Sequence, residues 1–319
     1  MNQIKEKILE CIEIKFLNGK CISDLSYLKS VSEQLEFNVE GGLNLILPSG
    51  SRLEKSIVFI YENSEMPMSS SFIHRIRLRE NASAVFFERY LNISSPSAHN
   101  LIKNYFDLEA HSSLEYYLLQ PSSSSSFSST EVKQGLKSYF QAFQVSLGGE
   151  AQKVSLLVDV EEAGAISKLL GFCKAIENQK IQYVVTVNHK ADHTLSRQFY
   201  KAIADQRGAM DFEGKVTVFK DARGVEAHQK NRNLLMSKTA SIGTKPQLEI
   251  YNDDVVCSHG ATIGDLDENE IFYLQSRGLD EDTARHLLMN AFAKEIFQHV
   301  SSTPVVKVLQ EAIMGEEYD

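Results

Sequence analysis

Apolar and polar residues alternate along most of this chain in short runs, not in long stripes. The runs cover 43–47, 56–61, 73–78, 84–91, 101–108 and 113–119, and resume over 139–147, 154–160, 181–187, 215–219 and 248–251. Gly, Asn, Ser or Asp bounds many of them. Val216, Val218, Leu248 and Ile250 keep the period of two that a half-buried strand requires. A procession of short strands with few helices between them predicts a mainly β architecture. Stacked antiparallel sheets usually carry Asn-Gly or Asp-Gly hairpins, which are nearly missing here. Small polar corners repeated over about two hundred residues fit a parallel β-solenoid, in which each coil packs on its neighbours. No strict repeat length marks the coils, so a β-sandwich also satisfies the pattern alone.

The two ends read differently. Ile4, Ile8, Cys11 and Ile12 recur at helical spacing, as do Leu25, Leu28, Val31 and Leu35 after the break at Asn18-Gly19. Residues 2–37 are therefore expected to form short helices. Near the other end Asp267 is placed to cap a helix with Glu270 at its third position, Ile271 and Leu274 on its apolar side and Gly278 as its stop. Asp280 is placed to cap a second helix whose stripe is Leu288, Phe292, Ile296 and Val300. These helices are expected to end the solenoid and keep its last coil from templating aggregation. Pro121 and the serine run 122–126, continued by Ser128 and Ser129, read as a flexible low-complexity loop. The expected organisation is a short N-terminal helical region (1–42), a β core (43–264) and a C-terminal helical segment (265–319).

Composition narrows the function classes. The 319 residues carry 33 Lys and Arg against 42 Asp and Glu, a net charge of −9. That balance argues against a general nucleic-acid binder and against docking on an anionic membrane. Cys11, Cys21, Cys173 and Cys257 form no CxxC pair and no zinc-type spacing, which suggests a reducing compartment. The opening MNQIKEKILECIEIKF mixes charge into every turn, unlike a signal peptide or an anchor, so the cytoplasm is the expected location.

Phosphate-binding and hydrolase motifs are missing. Gly19-Lys20 is followed by Cys21 and lacks the earlier glycine of a P-loop, and no GxGxxG, HExxH or GxSxG occurs. Asp253-Asp254 after Asn252, and Glu161-Glu162 before Gly164, read as solvated turn residues, since strand neighbours point to opposite faces. His189 and His193 stand four apart, but His189 ends an apparent strand. His74, His99, His111, His228, His286 and His299 lack a partner at a diagnostic interval and read as surface or capping residues. The segment Val255-Val256-Cys257-Ser258-His259-Gly260 offers more. Positions two apart in an extended chain share a face about 7 Å apart, so Cys257 and His259 could meet one metal or sulfur species. A buried cysteine beside a hydrogen-bonded histidine has the same spacing.

Ordered blocks in 229–293 carry a resemblance. Asn231-Arg232-Asn233-Leu234-Leu235, Lys245-Pro246 with Leu248-Glu249-Ile250, Cys257-Ser258-His259-Gly260-Ala261-Thr262, Phe272-Tyr273-Leu274 and Ser276-Arg277-Gly278 follow in register. This stretch strongly resembles the carboxy-terminal region of the SufD family, components of the SUF iron–sulfur cluster assembly machinery. The resemblance implies a right-handed parallel β-helix followed by terminal helices, in a scaffold subunit with no enzymatic activity of its own. It implies a SufB-like scaffold and a SufC-like ATPase as partners, with a homodimer in isolation as a further arrangement. It makes His259, with Cys257 beside it, the residue for iron or a nascent cluster, held transiently at the partner interface and not stably by the isolated chain. The segment 267–300 would carry the SufC-docking surface, with Phe272, Tyr273, Arg277, Leu288 and Phe292 on it.

Two departures matter. SufB-like chains carry a cysteine just before the glycine that aligns with Gly243, where this chain has Ile242, so the SufD assignment fits better. Family members also commonly have a longer N-terminal helical region with a Trp motif, and Trp is absent here. Two rival classes remain: a pectinase-like β-helix enzyme, and a metal-dependent enzyme built on Cys257 and His259.

Overall fold

The computed structural model describes residues 11–17, 20–37, 41–63, 70–93, 99–120, 125–301 and 303–315. Within them the chain winds as a parallel β-solenoid of about seven turns, with two sheets facing each other across a packed lumen. One sheet contains, in spatial order, β2 (Lys20–Cys21), β1 (Cys11–Leu17), β5 (Ser56–Asn63), β7 (Ser83–Ile93), β9 (Ser113–Gln120), β11 (Tyr139–Ser146), β13 (Ile166–Ala175), β15 (Leu195–Ala204), β17 (Val225–Leu235) and β19 (Val255–Asp265). The second contains β3 (Gln34–Phe37), β4 (Leu43–Leu47), β6 (Ser70–Leu78), β8 (His99–Leu108), β10 (Ser125–Gln134), β12 (Ala151–Val160), β14 (Lys180–His189), β16 (Ala209–Val218) and β18 (Ser241–Ile250). Among the described residues only β1 with β2 and β3 with β4 pair antiparallel.

The repeat that the residue identities hide lies in the corners. Gly50, Asn81, His111, Lys137, Gly164, His193 and Gly224 all take positive φ, between 51° and 72°. Each passes its N–H to the next coil: Asn81 to Ala110 O at 3.0 Å, His111 to Leu136 O at 2.7 Å, Gly224 to Asp254 O at 2.7 Å. Left-handed backbone is open to Gly and tolerated by Asn and His, so one geometry accepts several residues. Coil length varies with it. Ser113 pairs with Tyr139, 26 residues on, whereas Ala209 pairs with Ser241, 32 residues on.

Three expectations change. Cys11 and Ile12 lie in strand β1, not in a helix, because Ile14 and Phe16 are buried at strand period and β1 pairs in parallel with β5. The described helix of this region is α1 (Ser26–Val31), and residues 1–10 and Asn18-Gly19 lie outside the described set. The serine run is no loop where it is described. Ser126 and Ser128 are buried in β10, whose alternate side chains enter the lumen; Pro121 to Ser124 lie outside the described residues.

The third change concerns the helices α2 (Glu268–Ser276), α3 (Glu281–Lys294) and α4 (Pro304–Met314). Asp267 and Asp280 do cap α2 and α3, accepting from Asn269 N and Thr283 N at 2.8 Å, and Gly278 ends α2 with φ 96°. Yet the helices do not close the end of the solenoid. Ile296, Leu309 and Ile313 pack on Val58, Phe87, Phe143 and Phe172, the apolar outer side of the first sheet. That side is apolar on both faces of the sheet, so it must be covered. The last coil stays open.

One ionic contact fastens the helices. Lys201 is fully buried, its Nζ 2.6 Å from Glu295 Oε2 and 3.7 Å from the Phe292 ring centre. Arg232 donates to both Glu295 oxygens at 2.6 and 2.7 Å. Burial alone would raise the Glu295 carboxyl, but the Lys201 hydrogen bond and the two cations hold it below its ordinary value. Glu295→Gln leaves Lys201 buried beside Arg232 without a counter-charge. Allowing for the partial exposure of Glu295 and Arg232, urea unfolding should show a loss of about 2 kcal/mol.

The lumen also holds a polar network. Leu43 N donates to His74 Nδ1 at 3.2 Å, so Nε2 carries the proton and donates to Tyr61 Oη at 2.9 Å. Tyr61 and Tyr116 then donate to the two oxygens of Glu88 at 3.2 and 2.7 Å. His74 is thus interior and not a surface residue. Burial lifts Glu88 from 4.5 to about 7, against the hydrogen bonds of Tyr116, Asn104 and Tyr61, and presses His74 from 6.5 to about 3. The two act oppositely on stability. Glu88 keeps a proton that the unfolded chain has released, so its contribution is full below pH 4.5 and is lost as pH rises through about 7. The His74 contribution is present above pH 6.5 and is lost as pH falls towards 3. The wild-type stability minus that of Glu88→Gln isolates the first. It should fall by about 3 kcal/mol between pH 4.5 and 7.5, and a flat difference would contradict a buried carboxylic acid.

Candidate functional site

Strand β19 is the last rung of the first sheet and β18 the last of the second. β19 is exposed over most of its length and β18 is mostly half-buried, in contrast to the buried alternate positions of the strands beneath them. Register fixes where the side chains of β19 belong. Cys257 pairs with Ala227, and His259 with Gln229. Ala227 and Gln229 are lumen residues of the coil below, so Cys257 and His259 occupy the same lumen face at the open mouth. The expected common face is present.

Their surroundings differ. Cys257 is half-buried against the small cluster of Val216, Val218, Ala222, Val225 and Ala227. Burial raises its thiol pKa, opposed by a hydrogen bond with the Ala227 backbone. His259 is exposed. Among the described residues no group of three or more His, Cys, Asp or Glu could hold a metal ion. Cys257 and His259 are therefore two donors without a third on this chain's described surface.

A polar floor lies beneath them. Gln229 Nε2 donates to Gln198 Oε1 at 3.0 Å, in the space left by Gly214, where a Cβ would come within 2.2 Å of Gln229 Nε2. Asn231 Oδ1 accepts from Thr244 Oγ1 at 2.8 Å and from Asn233 Nδ2 at 2.5 Å, tying the two sheets together. Asn233 also donates to Thr262 O at 3.1 Å, holding β19 in register. Gln229, Thr244 and the roles of Asn231 and Asn233 escape a reading by sequence. The block Asn231-Arg232-Asn233 was conspicuous, but side chains that cross the lumen meet only once the coil is closed.

The other candidates separate. Asp253-Asp254 forms a turn in which Asn252 Oδ1 accepts from Asp254 N at 2.9 Å. Glu162 accepts from Leu136 N at 2.8 Å and Glu161 meets Lys190 at 3.4 Å, both at coil corners. His189 is buried, 2.7 Å from Thr194 Oγ1 and 2.8 Å from Ser196 Oγ, and His193 belongs to the corner column. On the helices Phe272 and Tyr273 are 71% and 57% exposed, with Arg277 stacked on Tyr273 at 5.2 Å. Leu288 is half-buried, and Phe292 turns inward onto Lys201. Leu287, not Leu288, is the exposed apolar residue of α3.

Comparison with known proteins names the family. Residues 59–292 match the family described as SUF system FeS cluster assembly, SufBD core domain. An iron–sulfur cluster assembly SufBD family protein of Synechocystis is 33% identical over 234 residues, covering 70% of this chain and 51% of that protein. The iron–sulfur cluster assembly protein SufD of Escherichia coli is 29% identical over 230 residues, 72% of this chain and 54% of SufD. The chloroplastic protein ABCI7 of Arabidopsis thaliana is 34% identical over 170 residues, 53% of this chain and 36% of that protein. The chain spans about half the length of the first two relatives. No helix among the described residues is long and apolar enough to cross a membrane. The chain belongs to the SufBD core family of the SUF iron–sulfur cluster assembly system.

Proposed function

We propose that this chain is a SufD-like assembly subunit that presents Cys257 and His259 to a nascent iron–sulfur cluster at the open end of its solenoid. The uncapped terminal coil carries this reading. An exposed parallel edge leaves backbone N–H and C=O groups unpaired, a template for another chain. Exposed Val256, Ile263, Ile250 and Tyr251 surround that edge. A SufB-like solenoid set end to end against β18 and β19 would pair those groups and cover the apolar side chains.

The cluster is cargo here, not a resident cofactor. Thiolate and imidazole both suit iron. Two donors leave the remaining iron positions to the partner, and the half-buried Cys257 thiol loses its proton when it binds. Ile242, half-buried under the mouth, adds no ligand. A SufC-like ATPase would dock on the exposed face formed by Phe272, Tyr273 and Leu287. The chain itself contributes ligands and shape, and no bond-making step.

Two experiments test this. His259→Ala removes one exposed side chain, so fold and complex should persist, while iron and acid-labile sulfide on the complex purified from cells should fall several-fold. Wild-type iron and sulfide would make His259 structural. Phe272→Asp with Tyr273→Asp should cost at least tenfold in affinity for the ATPase, read by calorimetry, with the melting temperature unchanged because both residues are exposed.

A further inference from the structure

A short glutamine ladder climbs the lumen wall of the first sheet and ends directly beneath the mouth. Gln198 on β15 and Gln229 on β17 are register neighbours, both buried, and Gln229 Nε2 donates to Gln198 Oε1 at 3.0 Å. Amides stacked in register pass one hydrogen bond from strand to strand, each carbonyl oxygen receiving from the next rung. Gln229 Oε1 is the top acceptor of this ladder. It is buried, in a residue 2% exposed, and has no donor among the described residues. The next rung, on β19, is His259.

The Gln229 amide has little room to find another partner. Its Nε2 fills space that Gly214 leaves open, where a Cβ would stand 2.2 Å from that nitrogen and 2.7 Å from the Phe212 ring. The donors nearby are spent elsewhere. Thr244 Oγ1 serves Asn231 Oδ1, Asn231 Nδ2 serves Tyr200 O, and Asn233 Nδ2 serves Asn231 Oδ1 and Thr262 O. Asn233 Oδ1 also lacks a donor, but the residue over it is Ile263, which has none to give. Of these two acceptors, only Gln229 lies under a side chain with an N–H.

A histidine that binds metal through one ring nitrogen keeps a proton on the other. An acceptor for that proton fixes both the tautomer and the heading of the ring. We propose that Gln229 is the positioning residue of His259: when the imidazole binds metal, its remaining N–H donates to Gln229 Oε1, and the ligating nitrogen is held away from the lumen. This rests on the proposed reading that His259 is a ligand.

Zinc ion alone is the probe, titrated by calorimetry into the full chain, since thiolate and imidazole bind it as they bind iron. Comparison with His259→Ala separates the His259 site from other surface histidines. Gln229→Met keeps the length of the side chain without the acceptor and should weaken that site at least tenfold. Gln229→Glu keeps an acceptor and should bind within about threefold of wild type. Gln144→Met, which removes a buried amide deeper in the same lumen wall, should leave zinc binding unchanged. In the zinc-loaded wild type the His259 ring N–H should be visible by NMR, its exchange slowed by the hydrogen bond, and Gln229→Met should lose it. Equal binding by Gln229→Met and wild type, with His259→Ala weaker, overturns the inference and leaves the ligand reading standing. So does a zinc-loaded wild type without that N–H signal, or equal weakening by Gln144→Met, which would make the amides packing residues. Equal binding by His259→Ala and wild type overturns both.

Discussion

In a solenoid, the backbone groups of each coil find their partners only on the coils above and below. Here that dependence extends beyond the strands to the corners, where left-handed residues from Gly50 to Gly224 each donate to the following coil. The stack is therefore stable in its middle and unfinished at its ends. At the N-terminal end of the described chain, β2 and β3 turn antiparallel and finish the sheets with short strands. At the other end nothing comparable happens. β18 and β19 finish in the open, and that single asymmetry places the candidate site.

Much of this was legible in the sequence, and the illegible parts share a cause. Val216, Val218, Leu248 and Ile250 announced their strands because alternation is a local property. The coils announced no period, because the corner geometry accepts Gly, Asn, His and Lys alike and, from β4 onward, coil length drifts from 26 to 32 residues. Cys11 and Ile12 fit a helical spacing as well as a strand, and only the pairing of β1 with β5 decides between them. Ser126 and Ser128 looked like loop because serine runs usually are, but a narrow lumen takes small hydroxyls where a wider core would take valine. The apolar stripe of Leu288, Phe292, Ile296 and Val300 was expected to end the solenoid, with Leu288 and Phe292 also on a docking surface; Phe292, Ile296 and Val300 pack on the side of the first sheet instead. What it packs on could not be read, since the outer side of the first sheet is assembled from strands far apart in sequence.

The candidate site divides in the same way. Cys257 and His259 share a face because they are two apart in a strand, which spacing alone shows. That the face is the mouth of the lumen follows from register with Ala227 and Gln229, which spacing does not show. The polar floor of Gln198, Gln229, Asn231 and Thr244 lies deeper still in the fold, drawn from two strands of one sheet and one of the other. Buried amides are costly unless paired, and pairing them across the lumen fixes how the last coils sit on one another.

Position bears on the proposal that this chain offers two ligands and no more. A closed metal site would need at least one more donor from the same surface, and the exposed strand above the polar floor offers none among the described residues. The donors stand instead at an edge whose backbone is itself incomplete. In the proposed reading, covering that edge and completing the ligand set would be the same event, so a cluster would be held only while a partner is docked. Separation of the two solenoids would return Cys257 and His259 to a two-donor state that binds iron weakly. On that proposal, an open last coil would supply the reversibility that release requires without any moving part inside the subunit.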